Sequence, residues 1–441
     1  MGGLEHGDGR SRRRARGAGV LLLAVLAGAG LGRFATGEVD PAAVAAAPGP
    51  AAATDLAGEV AGLEAAVARD ATDVGALRAL GTAYVSRAAQ TGDPDFYGLA
   101  RGALDRAEAL APGDPDTALA QGALALSLHD FDTALTLGQR ALAERPASAE
   151  VLGVVVDAHV ELGQYDEAAR ALQRMLDRRP ALPALARASY LRQLHGDLPG
   201  AVVAMEQARA AGAARPYDVA VVATLLGGLH LQRGDLEAAA DAYDEALRLA
   251  PGSVEAEVGA ARVLTARGET GAALARLREV VDRQPAPVAL VALAELEEAA
   301  GDGEAAAGTR EVLDAITALQ EEAGQVVDLE AALVEADAGD PVRAVGLARR
   351  AHDARPDNVY AAEALAWALH RAGQSGEAVP LAEAALRLGT ADPALRVRSA
   401  TVLAAAGRTD AARAAVTGGV LTSPALPVGL RDEAAELAAA P

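Results

Sequence analysis

Prolines recur along this chain at a fixed interval. Pro112, Pro146 and Pro180 are 34 residues apart, as are Pro251 and Pro285, and Pro356 and Pro424 are separated by 68. Glycines keep a second ruler: Gly163, Gly196, Gly234, Gly268, Gly301, Gly339, Gly373 and Gly407 advance in steps of 33, 34 or 38. Proline stops a helix because it lacks the N–H and crowds the preceding turn, while glycine ends one by entering the left-handed region. Two helix breakers that share a period outline a helix-turn-helix unit. One such unit is too small to bury its own apolar face, so the units must stack. The expected fold class is all-α, an α–α solenoid (superhelix) of about ten helix-turn-helix repeats.

Composition agrees with helices of this kind. Apolar residues make up 51% of the chain and aromatics only 2%, so the core must be built from Ala, Leu and Val. Ala and Leu lose little side-chain entropy in a helix. There is no cysteine, which excludes disulfides, thiolate metal sites and thiol nucleophiles.

The repeat resembles the tetratricopeptide repeat (TPR), whose pattern is a bulky residue, Leu-Gly, Tyr, Ala, a Phe-like residue and Pro. One copy has Ala223, Leu226-Gly227, His230, Ala239, Tyr243 and Pro251. Another has Leu77, Leu80-Gly81 and Tyr84, then Ala100, Leu104 and Pro112 after a polar insertion, Gln90–Gly98, read as a loop. Leu162–Ala168 is similar to the family's inter-helix turn. His159 and His230 stand where the family has Tyr, and Ala213, Ala318 and Thr390 fall near expected prolines. The resemblance covers residues 54–440 and implies a protein-binding array in which the first helix of each unit lines a concave groove. The expected organisation is a basic and apolar leader over 1–33, an Ala/Pro-rich linker over 34–53, the array over 54–424 and a C-terminal capping helix over 425–441.

The net charge is −21, and it is unevenly spread. Residues 1–33 carry +4 and the rest −25. A body this acidic repels phosphate backbones, so nucleic acid is not expected as a partner. In the N-terminal segment five arginines between Arg10 and Arg16 precede an uncharged run, Gly17–Gly32. A basic stretch before an apolar one is the pattern of an export signal or anchor. Both remain open; the reading adopted is an anchor helix with the arginines on the cytoplasmic side, which places the array outside the cytoplasm. Ser11-Arg12-Arg13 resembles a twin-arginine signal, but Arg14, Ala15 and Arg16 stand where apolar residues normally follow.

Nothing in the sequence points to catalysis or to a cofactor. The seven histidines show no His-x3-His or His-Glu-x2-His spacing, so no metal site is expected. Asp93-Pro94-Asp95 and Asp114-Pro115-Asp116 are turn signals without the glycine and distal Glu of a calcium loop. Phosphate loops and nucleophile elbows are absent. The expected site is the concave face, where helical register places Arg78, Tyr190, Arg262, Glu295, Tyr360 and Trp367. Trp, Tyr and Arg dominate binding hot spots. For Trp367, the only Trp, packing between repeats is the competing reading, because Ala364–His370 is largely apolar. Chaperone-binding members of the family grip a carboxylate with Lys and Asn. This chain has no Lys and a single Asn, Asn358, so that ligand class is not expected. The function read from the sequence is a non-catalytic scaffold for a protein or peptide; the alternative is a structural subunit of a secretion or envelope-assembly complex.

Overall fold

A computed structural model describes residues 56–439 apart from 179 and 213–215. The leader and linker expected over 1–53 lie outside the described residues. Among the described residues there are 22 α-helices and no strand. Helix α1 (Leu56–Arg69) precedes ten antiparallel pairs. They are α2/α3 (Val74–Thr91, Asp95–Leu110), α4/α5 (Pro115–Ser127, Phe131–Glu144), α6/α7 (Ala149–Glu161, Tyr165–Arg178), α8/α9 (Leu182–Leu194, Leu198–Ala211) and α10/α11 (Pro216–Gln232, Leu236–Leu249). There follow α12/α13 (Val254–Ala266, Thr270–Arg283), α14/α15 (Pro287–Ala299, Gly303–Glu322), α16/α17 (Asp328–Ala338, Pro341–Ala354), α18/α19 (Val359–Arg371, Ser375–Ala385) and α20/α21 (Pro393–Ala405, Thr409–Ala415). Two short 3-10 turns lead to α22 (Arg431–Ala439). Among these residues no helix is long and apolar enough to cross a membrane.

A two-residue device makes three of the ten hairpins. Gly196, Gly234 and Gly301 end their helices at φ 76°, 79° and 84°. The next residue, Asp197, Asp235 or Asp302, then caps the second helix by accepting a backbone N–H three residues on, at 2.9, 3.1 and 3.2 Å. The glycine supplies a conformation other residues resist, and the aspartate satisfies an orphan donor and the helix dipole. Gly339 departs from the pattern, with φ −118°. His129 occupies the glycine slot before Asp130 at φ 60°, the only described non-glycine residue with positive φ. The Gln90–Gly98 stretch, expected as a loop, is mostly helical: α2 runs on to Thr91 and α3 begins at Asp95. Most of the insertion is absorbed as extra helical turns, since nothing before Gly92 stops α2.

Stacking is close where small residues face large ones. The Tyr243 ring lies between Gly227 and Gly259, where an added Cβ would sit 2.6 and 2.1 Å from ring carbon Cε1. The first helices of successive pairs therefore approach through a single aromatic layer.

The superhelix also closes on itself after six pairs. Val326, before α16, donates its N–H to the Leu128 carbonyl at 3.0 Å. His129 Nδ1 meets the Val326 carbonyl at 2.7 Å, which holds His129 in its strained backbone conformation. Asn358 donates to the Glu161 carbonyl at 2.9 Å, and Val359 N–H to the Tyr165 hydroxyl at 2.9 Å. Ala391 N–H reaches the Gln193 carbonyl at 3.2 Å. The ends of α4, α6 and α8 thus rest on the starts of α16, α18 and α20.

This closure can be tested at Gly163. It has φ 74°, and an added Cβ would lie 2.1 Å from the carbonyl carbon of Asp357, across the turn-to-turn contact. Gly301 has φ 84° and nothing within 4 Å. Gly301→Ala is expected to cost about 1 kcal/mol from backbone strain alone. Gly163→Ala is expected to cost at least about twice that, because backbone cannot move aside as a side chain can. Urea unfolding of the two variants measures the difference; equal losses would mean that the turns do not touch.

Candidate partner-binding surface

Where the turns touch, the inner face is filled by the chain itself. Every residue from 151 to 160 of α6 is buried, and α18 buries ten of its 13 residues. Two-sided burial demands small side chains, which explains the alanines of α18. The acidic side chains of α6 and α18 left inside, Asp157, Glu161 and Glu363, are paired. Arg187 clasps Asp157 with two bonds, one of 2.8 Å from Nε. Arg355 meets Glu161 at 2.9 Å. Burial pushes the Glu161 carboxyl up, and the Arg355 charge opposes the shift.

Arg398 lies at the centre of a second group. Its guanidinium bonds Glu363 at 3.0 Å and Asp337 at 2.8 Å. Asp337 also accepts from the Trp367 indole N–H at 2.6 Å. Glu363 is 2% exposed, and burial pushes its carboxyl up to about 7 although Arg398 pulls the other way.

The six residues expected on the groove divide into four sets. Tyr190 and Tyr360 are half-buried and pack against the same core cluster. Tyr360 also faces Asp392 at 3.4 Å, and burial holds both hydroxyls far above their ordinary range. Trp367 is 1% exposed, against His370 and under the Arg371 guanidinium. Its ring is core, which is a correction to its placement on a solvent-facing groove: Asp337 and the apolar residues of α18 and α20 enclose it. Arg78 lies near the start of the array, with Asp114 at 3.0 Å and Asp116 at 3.6 Å, and meets none of the others.

Arg262 and Glu295 are the fourth set, and they share a cavity. It is lined by Val258, Ala261 and Thr265 of α12, Ala292 and Leu296 of α14, and the C-terminal stretch Pro424–Val428 with Arg431. Arg262 is exposed. Burial raises the Glu295 carboxyl, and the Arg262 charge lowers it in part. Here the inner face is met not by another helical pair but by the C-terminal stretch. Sequence reading missed Arg398, Glu363 and Asp337. The available signal was a charge inside an apolar stretch, as in Leu395–Leu403 and Ala361–Leu369. Among the described residues no group of three or more His, Asp or Glu is placed to hold a metal ion.

Comparison with known proteins agrees with this architecture. Two tetratricopeptide-repeat profiles match, one over residues 125–190 and 230–296, the other over 185–254 and 329–394, together more than half of the chain. The chain belongs to the tetratricopeptide-repeat family. Tetratricopeptide arrays serve generally as protein–protein interaction scaffolds, and their extended concave faces are the usual contact surface. Among curated proteins no sequence match reaches significance. Solved structures with similar helical arrays include a thermophilic TPR protein of Thermus thermophilus, at 22% identity over 42% of this chain and 99% of the other, with a TM-score of 0.37. A tetratricopeptide repeat protein of Parabacteroides merdae matches at 16% identity over 58% of this chain and 98% of the other, TM-score 0.39. The human IFIT1 dimer with m7Gppp-AAAA matches at 12% identity over 75% of this chain and 76% of the other, TM-score 0.47.

Proposed function

We propose that this tetratricopeptide array is a non-catalytic scaffold that holds a partner protein on the inner face of α12 and α14. One observation carries the reading: this part of the inner face, unlike that of α6 and α18, combines an apolar floor with the accessible charge of Arg262 and the carboxylate of Glu295. Apolar contact supplies affinity there and the charges supply orientation. The Arg10–Arg16 cluster ahead of Gly17–Gly32 supports a location outside the cytoplasm, with the array tethered to the membrane.

A second reading, a fixed subunit of an envelope or secretion assembly, draws on α15. This helix packs extensively only on α14 among the described residues. It leaves Val312 and Leu319 exposed seven residues apart, hence on one side.

Photo-crosslinking separates the two. A crosslinking amino acid is placed at Arg262, at Val312 or at exposed Glu279 of α13 in the full chain, in cells that make it. Crosslinks to a partner from position 262, and none from 279, are expected. Crosslinks from 312 alone would favour the fixed subunit, and crosslinks from 279 alone would move the site to the outer face.

A further inference from the structure

The array needs a cap after α21, and the C-terminal segment provides one. Val420, Leu426, Leu430 and Ala434 bury in the core of the last three pairs. Capping uses one side of a segment, however, and this segment is covered on two. Ala425 packs on the cluster of Leu231, Ala256 and Val263, and Val428 on the cluster of Val254, Val258 and Leu296. Its second side therefore lies on the face read above as the partner site.

The segment has the form of a bound peptide. Ser423 (φ −62°, ψ 128°) and Pro427 (φ −52°, ψ 143°) are in the polyproline region. Leu426 N–H closes a turn on the Ser423 carbonyl at 3.1 Å, and Leu430 N–H closes another on Pro427 at 3.1 Å. Two prolines set these bends in advance, so little chain entropy is lost on docking. The sequence is aliphatic and ends in Arg431, whose side chain lines the same cavity as Glu295. The fit is incomplete: a cavity of about 40 Å³ stays open between segment and groove, and Arg262 remains exposed. Core packing leaves few such gaps.

We propose that Pro424–Arg431 is an internal occupant of the groove on α12 and α14. The partner is then a protein presenting a proline-flanked aliphatic segment with a basic end, which displaces it. This rests on the reading of that face as the partner site. A cationic end suits the net charge of −25 beyond residue 33. A short tether holds its segment at an effective concentration of about 1 mM. Against a groove with an intrinsic Kd of about 100 µM, it lowers the apparent affinity for an outside peptide roughly tenfold.

The test uses the full chain and a labelled peptide of residues 421–431. Wild type, Ala425→Asp/Val428→Asp, and the latter combined with Thr265→Trp are compared by fluorescence anisotropy, with helicity checked by circular dichroism. The double variant is expected to bind the peptide at least tenfold more tightly than wild type, and Thr265→Trp, which fills the cavity, to remove that gain. A folded double variant that binds no better, or a gain that survives Thr265→Trp, overturns the proposal. Should the double variant not fold, hydrogen exchange of wild type decides. Millimolar peptide is expected to speed exchange in residues 420–431 while α12 stays protected, and unchanged exchange there overturns the proposal. Crosslinks from position 262 alongside failed displacement would remove the internal occupant and leave the partner site standing.

Discussion

Arg398→Met is expected to destabilise the array by about 3–5 kcal/mol at pH 8, and by distinctly less at pH 5. The Arg398 side chain is 8% exposed and is the counterion of both the buried Glu363 and Asp337. Methionine keeps much of the volume, so what is lost is the charge and its hydrogen bonds. A carboxylate left alone in that setting either stays charged at high cost or takes a proton. The pH dependence follows from Glu363. Its carboxyl is already held up to about 7 by burial, against an ordinary value of 4.5. A raised carboxylate favours the protonated native state, so its stabilising contribution is complete below the ordinary value and is lost as pH rises through the folded one. Without Arg398 burial acts unopposed and the window extends upward, which makes the deficit larger at pH 8 than at pH 5. Chemical unfolding at the two values measures it. An equal deficit at both would show that Glu363 does not titrate in a water-excluded site.

The second large effect is expected at Trp367. Replacement by alanine should cost about 3–5 kcal/mol, the range for deleting a large buried ring with incomplete collapse around it. Trp367→Phe keeps most of the ring but not the indole N–H, leaving one oxygen of Asp337 without its 2.6 Å donor. The expected loss is about 1–2 kcal/mol. Neither change should alter peptide binding at Arg262 in molecules that remain folded, because the ring is 1% exposed and faces the apolar residues of α18 and α20. Urea midpoints give the first quantity and anisotropy the second. A small stability loss for the alanine variant, with weaker binding, would put the ring back on the groove.

The two substitutions show where reading the sequence stops. The 34-residue ruler, the Gly-Asp turns and the Leu-Gly pairs are local, since each depends on backbone preferences and side chains a few residues apart. They suffice for ten helical pairs; that the first helices face inward was implied by the resemblance to the tetratricopeptide repeat. His129 is less legible: its φ of 60° is maintained by Val326, 197 residues away.

What the sequence by itself determined is the repeat: its length, its two helices, its turns and its stacking. Whether the inner face is open was decided only by the tertiary structure. Each pair rotates slightly on the one before, and that rotation depends on contacts such as Gly227 and Gly259 against Tyr243. Summed over six pairs, it brings Asn358 onto Glu161 and Ala391 onto Gln193. A small angular term multiplied along a solenoid has no signature in any one repeat. It nonetheless separates Trp367 in the core from Arg262 in a groove, although both lie on the first helix of their pair. The C-terminal segment followed the same logic. Its apolar residues were legible as a cap, but its second contact, on α12 and α14, exists only because the superhelix brings its own end back to its middle.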